Sequence, residues 1–370
     1  MRGRVRRFVL GVMFSAALCP AAGTSLPPNE LKPVPEVVAA EMTWDGPQIV
    51  RADRAGNVFF LRADTLQVYP LTQGGKLGEP RPLEVTGELP QLVRNAALSP
   101  GGDVWILSVD LSLRRFVDGK EKAVPPLDWR ISGIGFARDE PIVSFLPLPV
   151  AWDQVYRERK GQIPRLMSFD GDRWNVLAEF PGSSAADPVQ RRPDLNGAMA
   201  QHAGFIASDS QGRVWIARQY AYDVEQMGPS GRSRLHLVVG GGKVKERAGD
   251  GNSNGHAVAG LTAFRGQPAI LDLVEGRDRR MYFLTAGGDS GGLALDRYDP
   301  VTSQLERIPL AFQLSGRATL AAGKKGLYIA AWNGRGGRWM LRWDSLEVAS
   351  WTPVATAEIS PALSAEGPSR

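Results

Sequence analysis

Two stretches of this chain carry side chains whose types and spacing could do chemistry. Gly288-Asp289-Ser290-Gly291-Gly292 presents a serine on a glycine-rich loop. A nucleophilic serine also needs a histidine base, an orienting carboxylate and donors for the oxyanion. His202 and His256 precede Ser290 without a sequence setting that marks either as its base, so a plain glycine-rich turn is expected. His236 lies on an alternating stretch and reads as a packing or surface residue. Asp250-Gly251-Asn252-Ser253-Asn254-Gly255 places oxygen-bearing side chains at alternate positions before a glycine, as a loop wrapping a hard cation does. Its twelfth position is Leu261, where such a loop carries a bidentate carboxylate. A solvated turn is the expected reading, with Asp250, Asn252 and Asn254 kept as weak metal candidates beside Asp45 and Asp272. No cofactor is expected unless a divalent cation, calcium first, occupies such a site.

The elements that would position these residues are short. The 370 residues include 42 Gly and 27 Pro, which argues for many strands joined by turns and against a helical bundle. One unit recurs: a polar turn, usually with glycine, followed by an apolar–aromatic strand. It reads Asp53-Arg54-Ala55-Gly56-Asn57-Val58-Phe59-Phe60, then Pro100-Gly101-Gly102-Asp103-Val104-Trp105-Ile106, and most clearly Asp209-Ser210-Gln211-Gly212-Arg213-Val214-Trp215-Ile216. Weaker copies lead into Ile142, Met281 and Leu327. A second strand follows each of these anchors: 66–71, 113–117, 166–169, 235–239, 294–298 and 340–343. Most end in turn pairs such as Asp118-Gly119, Asp170-Gly171 and Asp299-Pro300.

Six units of roughly 40–70 residues predict an all-β fold, a six-bladed β-propeller of four-stranded antiparallel blades with long inter-strand insertions. Packing sheets in a ring buries both faces of each and leaves only protected edges. The propeller is expected over residues 45–353, after a Pro-rich lead-in at 24–44 and before a flexible Ala/Ser/Pro tail at 354–370. Residues 147–164 could hold a short helix, and 181–200 read as an irregular loop.

Charge points away from nucleic acid once its location is considered. The 44 Lys and Arg exceed the 39 Asp and Glu by five, but Arg2, Arg4, Arg6 and Arg7 belong to a basic start followed by the apolar run Phe8–Leu18 and Pro20-Ala21-Ala22-Gly23. That order describes a cleaved secretory signal peptide over 1–23, and the chain left behind is nearly neutral and free of cysteine. A periplasmic or secreted, monomeric product with no membrane segment after cleavage is expected. Cys19 follows Leu18, where a lipoprotein signal carries a small residue, so a lipoprotein is disfavoured.

The recurrent unit resembles NHL-type repeats and the wider group of six-bladed propellers. The similarity is closest from Ala248-Gly249-Asp250-Gly251 through Pro268-Ala269-Ile270-Leu271-Asp272 to Met281-Tyr282-Phe283-Leu284. Asp45-Gly46-Pro47 is faintly similar to the start of the gluconolactonase-like propellers, which hold one divalent metal. Here that likeness brings Asp for Glu at one ligand position and no carboxylate at another. Ser290 lies in a stretch similar to the nucleophile loop of trypsin-like proteases, but without their histidine and cysteine setting.

Propellers bind ligands where their innermost strands begin. Counting back from the anchors puts Gln48, Arg94, Ser132, His202, Ala269 and Arg317 at that mouth. Two arginines and a histidine there would suit an anion. The expected function is non-catalytic binding of a small, anionic ligand or a protein partner, with no nucleic acid. A metal-dependent lactonase or esterase, using Asp45, Asp272 and His202, is the alternative, and a streptogramin-lyase-like enzyme is another.

Overall fold

The computed structural model describes residues 48–87, 93–99, 101–108, 110–137, 139–149, 164–179, 204–218, 222–228, 233–239, 269–286, 293–310, 317–332, 336–355 and 358–361. All belong to the unit Pro33–Arg370. Blade 1 comprises β1 (Gln48–Ala52), β2 (Val58–Arg62), β3 (Gln67–Pro70) and β4 (Arg81–Pro82). Blade 2 comprises β5 (Val93–Leu98), β6 (Val104–Ser108), β7 (Leu113–Val117) and β8 (Lys120–Lys122). Blade 3 holds β9 (Trp129–Ala137), β10 (Glu140–Pro149), β11 (Pro164–Phe169) and β12 (Trp174–Glu179). Blade 4 begins with β13 (Gly204–Ser208), β14 (Val214–Arg218), β15 (Asp223–Met227) and β16 (Ser233–Val238). Blade 5 begins with β17 (Ala269–Glu275), β18 (Met281–Ala286), β19 (Leu293–Asp299) and β20 (Gln304–Pro309). Blade 6 is β21 (Arg317–Ala322), β22 (Gly326–Trp332) and β23 (Gly336–Arg342).

Every pairing between these strands is antiparallel, and each blade runs outward in chain order. The innermost strands β1, β5, β9, β13, β17 and β21 contact one another in sequence, and β21 returns to β1. The all-β, six-bladed expectation therefore holds. Strand number varies around the ring: where a fourth strand of blade 6 would follow, α1 (Trp343–Val348) buries Trp343 and Leu346 against the junction of blades 5 and 6. The chain then adds β24 (Thr352–Pro353) to the outer edge of blade 5 and β25 (Glu358–Pro361) to that of blade 4. Residues 358–361 lie within the segment read from sequence as a tail. Two exposed sheet edges, each a template for unwanted pairing, are thereby occupied.

The core is divided among six clusters of buried side chains, one at each blade junction. Period-two alternation explains the division. On β6, Val104 and Ile106 face blade 1 while Trp105 and Leu107 face blade 3. On β18, Tyr282 and Leu284 face blade 6 while Met281 and Phe283 face blade 4. Middle strands buried on both faces read as continuous apolar runs, which is why their sequences stand out.

One turn is built four times between the first and second strands. In blades 1, 2, 4 and 5 the residue after the inner strand accepts a backbone hydrogen bond from the residue three places on, at 2.9–3.0 Å (Gly56→Asp53, Gly102→Ser99, Gly212→Asp209, Arg279→Gly276). The donor residue has positive φ in each: 74°, 92°, 75° and 62°. Glycine takes that conformation without strain in three of the turns, and Arg279 takes it in the fourth. In blade 4 the Asp209 carboxylate also accepts from Trp215 Nε1 at 2.9 Å, joining turn to core.

Two expectations need correction. Residues 147–149 end strand β10 instead of starting a helix. In blade 4 the strand expected at 235–239 directly after the anchor strand is β16, the fourth; β15, the third, lies between them. Residues 150–163 and 181–200 lie outside the described residues.

Candidate functional site: the central channel and its mouth

The inner strands expose one hydrogen-bonding edge to the channel, and a buried edge needs partners. On one side of the ring, side chains from neighbouring blades supply them. Asp272 Oδ2 on β17 accepts from Leu320 N on β21 at 2.8 Å. Thr319 Oγ1 on β21 accepts from Val50 N on β1 at 2.9 Å. Arg51 Nε on β1 donates to Ala96 O on β5 at 2.6 Å. On the opposite side the strands touch directly. A Cβ on Gly133 of β9 would stand 2.6 Å from Gly204 O of β13, and one on Gly135 2.7 Å from Ile206 O. Only glycine allows that approach.

Arg51 is the hub. Its Nη1 donates to Asp272 Oδ2 at 2.6 Å and to Val50 O at 2.8 Å, and its Nη2 to Asn95 Oδ1 at 2.5 Å. Asp272 Oδ1 accepts from Leu273 N at 3.0 Å, so the buried carboxylate has three donors. Irregular register on β17, between Ile270 and Asp272, and on β5, between Val93 and Asn95, accompanies the turning of Asp272 and Asn95 toward the arginine. The network ties blades 1, 2, 5 and 6 together. Its cation and carboxylate neutralise each other and are saturated with donors and acceptors, which makes it a clamp.

Of the residues counted to the mouth, Gln48 opens β1, Ala269 opens β17 and Arg317 opens β21. Arg94 is the second residue of β5 and half-buried. Ser132 differs: β9 begins at Trp129, and the Ser132 hydroxyl is buried 2.7 Å from Ser144 Oγ. The sequence count missed this because a bulge lengthens β9 there. His202, Asp45, Asp250, Asn252, Asn254, His256 and Ser290 lie outside the described residues. His236 sits on β16, partly exposed, with Nε2 2.8 Å from Asp223 Oδ1. Among the described residues no three His, Cys, Asp or Glu side chains gather as a metal site would require. Arg51 and Asn95 were not singled out from sequence. The only local signal was a cation between Val50 and Ala52, in a strand otherwise buried or apolar.

Gln48 stands apart. It is 4% exposed, and among the described residues neither its amide nitrogen nor its amide oxygen has a hydrogen-bond partner. Alternation places it on the face of β1 shared with Val50, toward blade 6. Because Val50 is level with Thr319, Gln48 is level with the start of β21 at Arg317.

No protein-family model and no curated protein matches the chain. Several solved structures are similar in fold. A catalytically inactive virginiamycin B lyase from Staphylococcus aureus, solved with quinupristin, is 12% identical with a TM-score of 0.46, over 83% of this chain and 99% of that one. A member of the DUF4221 family from Bacteroides vulgatus is 11% identical with a TM-score of 0.47, over 87% and 99%. The extracellular domain of a one-component system from B. thetaiotaomicron is 12% identical with a TM-score of 0.39, over 80% of this chain and 33% of that one. Among the described residues no helix is long and apolar enough to cross a membrane.

Proposed function

We propose that this chain is an exported, non-catalytic propeller that binds a small ligand, anionic or amide-bearing, at the mouth of its channel. The observation that carries the reading is the buried amide of Gln48, without a hydrogen-bond partner among the described residues and level with the start of β21. Such an orphan costs about 1–3 kcal/mol, and a ligand offering both a donor and an acceptor would recover it. Arg94, the second residue of β5, and Arg317, the first of β21, lie on the inner strands that flank β1, and residues of this type suit a carboxylate or another anion. The charged pair deeper in the channel serves the ring and leaves the mouth to the ligand. Export rests on the basic–apolar–small order of residues 1–23.

A protein partner is the second reading. The three longest connections, residues 150–163, 180–203 and 239–268, join strands at the end where inner strands begin. Loops that join rigid strands are where recognition by another protein concentrates.

Thermal-shift titration with short dicarboxylates, sugar acids and their amides tests the first reading. A ligand present at a hundred times its Kd should stabilise the protein by about 2.7 kcal/mol. That stabilisation should vanish in Gln48→Leu. Equal stabilisation of both proteins, or lactone turnover that depends on added calcium, manganese or zinc, would contradict the proposal.

A further inference from the structure

A second recess lies away from the channel axis, on the same face. The turn between β6 and β7 and the connection leading into β9 meet there, at the end of the sheets where β5 and β9 begin. They enclose a cavity of about 290 Å³ between blades 2 and 3. That is close to the lower end of small-molecule sites, about 300 Å³. Its apolar wall includes Leu111, Leu113, Val124, Leu127 and the buried Trp129. The connection is stiffened by Pro125 and Pro126, and Trp174 Nε1 donates to Pro125 O at 3.2 Å, holding it to blade 3.

Two features are unexplained by folding alone. Arg130, on the cavity wall, is half-buried and has no hydrogen-bond or ion-pair partner among the described residues. Its neighbours on blade 2 are paired: Arg114 with Glu121 at 3.2 Å and Arg115 with Asp103 at 2.9 Å. Leu111 holds a φ of 68°, a conformation that strains a leucine. Leu66 does the same at the last position of the matching turn in blade 1, but its side chain packs into the junction of blades 1 and 2. Leu111 belongs to none of the six junction clusters and faces the cavity instead.

We infer that this cavity binds a small monocarboxylate with an apolar aryl or alkyl body. Arg130 takes the carboxylate, and the body lies on Trp129 and Leu111. Asp110 at the rim, its Oδ1 engaged by Ser112 N and Oγ at 3.1 and 2.8 Å, disfavours a second negative charge on the ligand. The site is separate from the channel mouth and does not depend on Gln48.

Calorimetric titration with 3-phenylpropionate, hexanoate and 3-phenylpropanamide tests the inference, with folding of each variant verified by thermal unfolding. At least one of the two carboxylates should bind saturably, and the amide at least about tenfold more weakly. Arg130→Met should weaken carboxylate binding about tenfold or more, Arg130→Lys should restore much of it, and Ser112→Phe should block the cavity. Gln48→Leu should leave this binding unchanged, which separates its failure from failure of the mouth reading. Absence of binding by both carboxylates at about 1 mM, or affinity untouched by Arg130→Met, would overturn the inference.

Discussion

Asp272 and Arg51 show how a residue's chemistry depends on what meets it in space. Asp272 reads from sequence as a candidate metal ligand, because a carboxylate on a strand near a mouth suits a cation. In the fold, an arginine 221 residues away occupies it, along with two backbone N–H groups. No local pattern could reveal a partner at that separation. Breaking the pair leaves one charge buried and uncompensated, which costs more than the pair contributes. Asp272→Asn should therefore destabilise the protein by about 3 kcal/mol in chemical denaturation. Adding Arg51→Met should recover part of the loss, because the introduced amide oxygen could still accept from Leu320 N. A neutral Asp272→Asn would show that the clamp is dispensable.

Among the elements, turns were legible and irregular strands were not. The turn before β14 is written in Asp209, Gly212 and Trp215, each needed where it stands, so its strand could be placed to the residue. β15 reads Asp223-Val224-Glu225-Gln226-Met227, three polar residues in five with Gln226 buried, and carries no glycine turn at its start, so nothing in its sequence marks it. α1 is too short for a helical period to show. The turn geometry itself makes a prediction. Gly212→Val should lower stability by about 1–2 kcal/mol, because it forces a β-branched residue to φ 75°. Arg279→Gly should raise it by up to about 1 kcal/mol, since it removes strain from the same turn in blade 5. Equilibrium unfolding of the two variants reads both signs, and a gain from Gly212→Val would refute the turn account.

For the whole molecule, the ring spreads its core over six junctions, and tyrosines are buried in several of them. Burial, then the neighbouring Asp296 carboxylate, holds the Tyr222 hydroxyl well above its ordinary range. Burial, then Asp278, does the same for Tyr282, and burial alone raises the Tyr328 hydroxyl. A group with a raised folded pKa contributes its full stability below its unfolded value and loses it as the pH rises toward the folded value. Stability should therefore hold to about pH 10 and fall beyond it, by about 1.4 kcal/mol per pH unit for each such tyrosine. Tyr222→Phe should make the alkaline fall shallower in denaturation curves taken across that range. Repeat number and ring architecture were readable from sequence because every junction repeats one apolar alternation. The mouth was readable only in part, because bulges on β5 and β9 shift residues that counting treats as regular.

The central claim is that the mouth holds a polar group kept for a ligand at the expense of stability. Urea unfolding of Gln48→Leu against the unaltered protein tests it most directly. Replacing a buried, unpartnered amide with an apolar side chain of similar size should raise the unfolding free energy by about 1–2 kcal/mol. A loss of similar size would mean that the Gln48 amide is already satisfied within the fold, and would contradict the account.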